Sequence, residues 1–332
     1  MNALSKLPAV PGRRLDVAVL VPCLNEAAAI GRVVASFREA LPEARIYVYD
    51  NGSSDDTVNV ALAAGAEVRS EALCGKGNVV RRMFADIEAD VFVMVDGDGT
   101  YQAASSPAMI ELLVTQHLDM VCGKRVESDG GAYRSGHRLG NRVLTGLVST
   151  LFGNRVSDIL SGYRVMSRRF VKSFPALSRG FETETELTVH ALDLRAPVAE
   201  LPTPYGSRAP GSVSKLNTFS DGWRILRAIV RLVKEERPLA FFSAVAAFLA
   251  AAAVILAVPL FVTFFTTGLV PRLPTAILST GLILVAVLCF ACGLILDTVT
   301  RGRRELKRMH YLSHPGVPQQ RRYTDVEMDA KP

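Results

Sequence analysis

Two stretches without charge limit what this chain can fold into: no Asp, Glu, Lys or Arg occurs in residues 239–270, and none in residues 273–296. Each exceeds the roughly 20 residues that cross a hydrocarbon core, where a charge at the centre costs about 2.5–3.5 kcal/mol. The link 268–274 is too short for a domain, so the pair reads as a transmembrane hairpin within residues 238–298, with spans at about 239–267 and 275–296. The first run is longer than a bilayer requires, which predicts tilt or a break near Pro259. The competing reading is a buried helical hairpin of a soluble protein.

The flanks give an orientation. Arg224, Arg227, Arg231, Lys234 and Arg237 precede the hairpin, Arg301, Arg303, Arg304, Lys307 and Arg308 follow it, and Arg272 alone lies in the link. The positive-inside bias therefore places both termini in the cytoplasm of a multi-pass protein, with residues 299–332 as a basic tail. Residues 1–21 hold no apolar signal segment, and residues 1–14 read as a tail. Cys23, Cys74 and Cys122 are scattered without metal-ligand spacing, as a reducing compartment allows, and Cys289 and Cys292 form a C-x-x-C inside a span, where they read as small apolar side chains. In residues 217–237, Arg224, Arg227, Arg231 and Lys234 fall within a ~80° arc of a helix, with Trp223, Ile225, Leu226, Ile229, Leu232 and Val233 around the rest. That suits a helix in the membrane interface against anionic headgroups, or one packed on a globular domain with its basic face in water.

Residues 15–216 alternate strand-like and helix-like segments. Strands are expected at 15–21, 45–49, 67–70, 90–96 and 118–123, with helices from Asn25, from Asp55 and after Gly77. Such βαβα order predicts an α/β fold whose mostly parallel sheet is covered by helices on both faces, with ligands bound beyond the carboxyl ends of the strands. The polar clusters lie there. Pro22, Asn25 and Glu26 follow the first strand, Asp50-Asn51-Gly52-Ser53 the second, Gly75-Lys76-Gly77 the third and Asp96-Gly97-Asp98 the fourth. Each alone suits a turn or helix cap; four at corresponding ends point to one site. Two carboxylates one residue apart call for a cation, and hard oxygen donors suit Mg²⁺ or Mn²⁺ bridging to substrate phosphates.

As a set these residues resemble glycosyltransferase family 2, with its Rossmann-like GT-A fold, and within it the polyprenyl-phosphate (dolichyl-phosphate) sugar synthases of bacterial type with a C-terminal hairpin. Pro22-Cys23-Leu24-Asn25-Glu26 resembles the family's P-x-x-N-E, and Asp50-Asn51-Gly52-Ser53 its D-D-G-S with Asn51 in place of the second acid. The resemblance implies nucleotide-sugar contacts for Pro22, Asn25, Glu26, Asp50, Asn51, Ser53, Gly75, Lys76, Gly77 and Asp96, and a metal on Asp96 and Asp98. Some members carry Gln where this chain has Thr100, whose hydroxyl or a water would substitute. Asp158-Ile159-Leu160-Ser161-Gly162-Tyr163-Arg164 resembles D-x-x-S-G-[FY]-R, and residues 181–187 the segment closing the acceptor side. Asp158, Arg164 and Glu186 join Asp96 and Asp98 as implied catalytic residues. Arg208 with Gly211-Ser212-Val213-Ser214-Lys215 matches the family's Arg/Gly/Ser/Lys loop, so Arg208, Ser214 and Lys215, together with Arg125 and Arg138, become candidates for the acceptor's phosphate.

The implied reaction is inverting transfer of a hexose from a UDP- or GDP-sugar to polyprenyl (undecaprenyl) phosphate at the bacterial inner membrane, for envelope glycan or glycoprotein assembly. A phosphate monoester, with a second pKa of about 6, is already anionic near pH 7, so Asp158 or Glu186 is expected to arrange Arg164 and the acceptor rather than abstract a proton. The partners are then donor, lipid acceptor and bilayer; a homo-oligomer is compatible, and nucleic acid is not expected. Asp96-Gly97-Asp98-Gly99-Thr100 also fits the nucleophile loop of haloacid-dehalogenase-type phosphatases, though without the later G-D-x-x-x-D. A non-catalytic membrane adaptor is a further alternative. A processive polysaccharide synthase is disfavoured by the missing Q-x-x-R-W and by having only two spans.

Overall fold

The computed structural model of the protein describes residues 14–127, 146, 157–177, 182–207, 230 and 233–317. The chain divides into two compact units, Met1–Gly222 with Lys307–Pro332, and Trp223–Leu306.

The first unit is a seven-stranded sheet. Its order of elements is β1 (Val17–Cys23), α1 (Ala27–Ala40), β2 (Arg45–Asp50), α2 (Thr57–Ala63), β3 (Glu67–Ser70), α3 (Lys76–Asp86), β4 (Val91–Met94), α4 (Ser106–Thr115), β5 (Met120–Glu127), β6 (Arg164–Ser167), α5 (Arg168–Ser173), α6 (Thr183–Leu194) and β7 (Val198–Tyr205). The strands lie in the order β3-β2-β1-β4-β6-β5-β7. All pair in parallel except β6, which runs antiparallel to both neighbours. Alternation along β1 divides the core between the two faces. Val17, Val19 and Val21 meet Ile30, Val33, Val34 and Phe37 of α1 and Met109, Ile110 and Leu113 of α4. Ala18 and Leu20 meet Val79, Val80, Met83 and Phe84 of α3, Phe170 of α5, and Leu187 and Ala191 of α6. In α1 the buried positions 30, 33, 34 and 37 are the i, i+3, i+4, i+7 stripe of a helix with one face on a sheet.

The second unit holds α7 (Pro238–Thr267), and α8 (Leu273–Leu312) begins in it. Gly268, with φ +69°, ends α7 in the left-handed conformation that favours glycine. Ala246 and Ala253 of α7 are buried, as are Ser279, Ala286, Gly293 and Thr300 of α8, one every seventh residue. A Cβ on Gly293 would lie 3.0 Å from that of Phe242, and the Ser279 hydroxyl donates to the Ala253 carbonyl at 3.0 Å. Small residues let the two backbones approach, as in helix pairs within lipid. Both helices are long and apolar enough to cross a membrane, and the protein is accordingly membrane-associated.

Of the tilt or break expected near Pro259, no break is seen: α7 continues through Pro259 to Thr267. The second helix continues beyond its apolar stretch through Arg301, Arg303 and Arg304 to Leu312.

Candidate active site

The loops beyond β1 and β2 hold each other. Asn25, in the left-handed region at φ +52°, donates its backbone N–H to the Ser53 hydroxyl at 2.8 Å, and its side-chain oxygen accepts from the Ser54 N–H at 2.7 Å. Asp50 closes its own turn by accepting from the N–H groups of Gly52 at 3.0 Å and Ser53 at 3.1 Å. Asn51 carries the third loop: its amide donates to the carbonyls of Glu71 and Leu73, each at 2.9 Å, and its oxygen accepts from the Gly75 N–H at 2.7 Å. An ionised aspartate has no donor for those carbonyls, so asparagine here pins the turn that delivers Lys76.

Lys76 opens α3, and its ammonium is hydrogen-bonded to both Asp96, just beyond β4, and Glu184, in the first turn of α6. The lysine side chain is 11 % exposed and that of Glu184 6 %. Burial disfavours the charged ammonium, but the two carboxylates outweigh it and raise the Lys76 pKa above its ordinary value. Glu184 keeps one oxygen, Oε2, buried without a hydrogen-bond partner. Beside Asp96, Gly162 leaves room: a Cβ there would lie 2.9 Å from the carboxyl carbon and 3.0 Å from Oδ1. The Gly162 N–H donates to the Tyr101 hydroxyl at 2.9 Å, which fixes that approach. Asp98 is buried and accepts from the Thr100 N–H at 3.1 Å and hydroxyl at 2.6 Å. The Thr100 hydroxyl is thus turned onto Asp98.

Asp158 does not arrange Arg164. Its partner is Arg125, which donates through Nε at 2.8 Å, Nη2 at 2.7 Å and its backbone N–H at 3.1 Å. Burial pushes the Asp158 carboxyl up, but the Arg125 hydrogen bonds and charge prevail and hold it below the usual carboxylate range. The Arg125 guanidinium also lies 5.5 Å from the centre of the Tyr205 ring. Arg164 is wholly buried and donates to the carbonyls of Ile159 at 2.8 Å, Ser161 at 3.0 Å and Glu184 at 2.9 Å, and to the Thr188 hydroxyl at 2.9 Å. It is a positioning residue that ties the Asp158–Arg164 segment to the start of α6, rather than a group open to substrate.

Glu186 accepts from the Leu177 N–H at 2.8 Å and is not part of the Lys76 cluster. Glu184, two positions earlier and so on another side of the helix, is the member that faces it. Sequence reasoning missed Glu184, since three acids alternate through residues 182–186 and only the rotation of α6 selects among them. Pro22, Glu26, Asp50, Ser53, Gly75 and Gly77 all lie in or beside these strand-end loops. Arg138, Arg208, Ser214 and Lys215 lie outside the described residues.

Among the described residues, no three His, Cys, Asp or Glu side chains converge as a ready-made metal cage. Magnesium-type sites take one or two carboxylates and complete their shell with water and substrate phosphate. Asp96 and Asp98 suit that use. The single ammonium of Lys76 stands against two carboxylates, one with a buried orphan oxygen, so the donor set fits a divalent cation.

Comparison with known proteins agrees with this geometry. Residues 18–174 match the family described as Glycosyl transferase family 2. Glycosyltransferase AglJ of Haloferax volcanii is 33% identical over 300 residues, covering 89% of this chain and 98% of that protein. A dolichyl-phosphate hexose transferase of the same organism is 29% identical over 222 residues, 67% of this chain and 96% of that protein. Among solved structures, glucosyl-3-phosphoglycerate synthase from Mycobacterium tuberculosis, in complex with Mn²⁺, UDP and glucosyl-3-phosphoglycerate, superposes with a TM-score of 0.54 at 26% identity, over 66% of this chain and 79% of that one. The phosphatase reading of Asp96–Thr100 falls with these matches, for the motif follows the fourth strand of a sheet of that kind.

Proposed function

The chain belongs to glycosyltransferase family 2, and from that premise we propose that it moves a hexose, with inversion, from a UDP- or GDP-linked donor to polyprenyl phosphate at the cytoplasmic face of a bacterial inner membrane. The observation that carries the donor half is the Lys76–Asp96–Glu184 cluster at the carboxyl ends of the strands, with Asp98 beside it. Asp96 and Asp98 would hold Mg²⁺ or Mn²⁺, which would supply positive charge to neutralise the departing diphosphate. Lys76, at a helix start, adds a cation for the same phosphates. Glu26 and Asp50, on loops fixed by Thr57 and by the Asp50 turn, take the nucleoside.

The acceptor half follows from which carboxylates are engaged. Asp158 is held by Arg125, Glu186 accepts a backbone N–H and Glu184 is held by Lys76. An alcohol acceptor needs a carboxylate base, whereas a phosphate monoester brings its own anionic oxygen and needs only orientation. The two apolar helices and the likeness to a dolichyl-phosphate hexose transferase favour a lipid phosphate. A second reading, a small soluble phosphate acceptor, is favoured by the likeness to glucosyl-3-phosphoglycerate synthase, solved in complex with phosphoglyceric acid.

Arg208, Ser214 and Lys215 are assigned to the acceptor's phosphate. Arg208→Ala and Lys215→Ala should each lower transfer to a short-chain prenyl phosphate about tenfold, with calorimetric affinity for the nucleotide-sugar nearly unchanged. Equal loss of both would move these residues into the donor site.

A further inference from the structure

Lys76 already holds one carboxylate oxygen of Asp96, a residue assigned above to the metal. Its ammonium is hydrogen-bonded to Asp96, the less buried of its two partners at 30 % exposure, while Glu184 secures it from the interior side at 6 %. Glu184 is itself fixed: Arg164 and Thr188 both bind its backbone carbonyl, at 2.9 and 3.0 Å, so the carboxylate is presented by a braced turn of α6. Its second oxygen is buried and unpartnered, which leaves an acceptor open for another N–H of the same ammonium. The Asp96 carboxylate packs on one side against Gly162, in the space a Cβ would fill. A divalent cation approaching Asp96 therefore meets a lysine already there, and two cations at ion-pair distance repel. A second anion would offer the ammonium a partner in place of Asp96.

We propose that Lys76 is an internal counter-cation that keeps Asp96 from binding metal until a nucleoside diphosphate draws the ammonium away, with Glu184 retaining it throughout the exchange. The four-carbon stem permits the swing, and the open oxygen of Glu184 takes the hydrogen bond that Asp96 gives up. Metal and nucleotide then bind with positive coupling, each raising the other's affinity by the same factor. Glu184 acts as a positioning residue for Lys76, and Arg164 for Glu184. The inference rests on the assignment of Asp96 and Lys76 to a metal–diphosphate site.

The test is binding of Mn²⁺ to the full chain in detergent, read by the electron paramagnetic resonance of free Mn²⁺, with and without UDP and with no sugar or acceptor present. Removing the ammonium as Lys76→Met or Lys76→Gln should tighten Mn²⁺ binding without UDP by roughly tenfold or more and shrink the further gain from UDP. Lys76→Arg, which keeps the charge, should not tighten Mn²⁺ binding, and thermal melts monitor folding of each variant. A merely structural lysine would weaken Mn²⁺ binding when removed, so the sign decides. Unchanged or weaker binding in both neutral variants, with binding still lost in Asp96→Asn, overturns the counter-cation alone. Wild-type Mn²⁺ binding in Asp96→Asn overturns the metal assignment and the counter-cation together.

Discussion

In the sheet unit the large side chains are inside: Phe92, Phe170, Tyr163 and even Arg164 have no exposed surface. In the helical unit Phe248, Ile255 and Phe265 face outward, and Ala253, Ala286 and Gly293 are inside. The two interiors answer to different solvents. Water drives bulky apolar surface into the sheet's core, whereas lipid offers bulky side chains as good a surrounding as the protein does, so close backbone packing decides the helix pair. The polar groups divide the same way. The sheet unit buries charged groups that hydrogen-bond one another, among them Asp119, which accepts from Ser167, Arg169 and Tyr311. Between the helices the Ser279 hydroxyl rests on the Ala253 carbonyl, and the charged groups lie beyond the apolar stretches, where Glu236 pairs with Arg303 and Arg304.

If chemistry belongs to the first kind of interior alone, substitutions there should remove activity out of proportion to stability. Asp98→Asn should reduce sugar transfer about a hundredfold or more while the protein stays folded and membrane-bound, because a metal ligand loses its charge and little of its shape. Gly162→Ala should approach that loss, since the added methyl displaces the Asp96 carboxylate. EDTA should stop the wild type, and Mg²⁺ or Mn²⁺ should restore it. Full activity in chelator would contradict the metal site.

The helical interior should respond in the opposite sense. Gly293→Leu places a branched side chain where Phe242 already stands and should destabilise the helix pair by about 1–3 kcal/mol, seen as a lower melting temperature in detergent. Calorimetric UDP affinity should not change. A matching loss of UDP binding would show that the two interiors are not separable.

The smallest effect expected is one of pH. His190 is buried between Phe170 and Phe174, and burial, helped by the charge of Lys307, lowers its pKa to about 3. The unfolded chain takes up the proton near pH 6.5 and the folded chain does not, so the stability is fully present above 6.5 and is lost as pH falls towards 3. The slope is at most about 1.4 kcal/mol per pH unit. Near-UV dichroism melts at pH 7 and pH 5 should differ in the wild type, and His190→Leu should flatten the difference. Equal slopes in both proteins would assign the acid sensitivity to other groups.

How much of this was legible in the sequence follows the same division. Runs without charge announce the helix pair directly, and turn residues at the ends of apolar segments announce the four loops of the site. α8 outruns its charge-free stretch because Asp297 marks the limit of lipid compatibility, not of helix propensity. β7 was unread because Pro202 and Pro204 argue against a strand; it lies at the sheet edge, where proline is tolerated. β6 was taken as part of a motif, being four residues long and beginning with a charged residue. The pairing of Asp158 with Arg125 joins positions far apart in the chain, and no local pattern reports it.

The central claim is that the sugar ends on a lipid phosphate. The direct measurement supplies the purified chain in detergent with Mn²⁺, a panel of UDP- and GDP-hexoses, and undecaprenyl phosphate and 3-phosphoglycerate together, followed by mass analysis of the lipid and aqueous phases. A single hexose added to the lipid phosphate, with 3-phosphoglycerate unchanged, is the predicted result. Hexose on 3-phosphoglycerate and none on the lipid would contradict it.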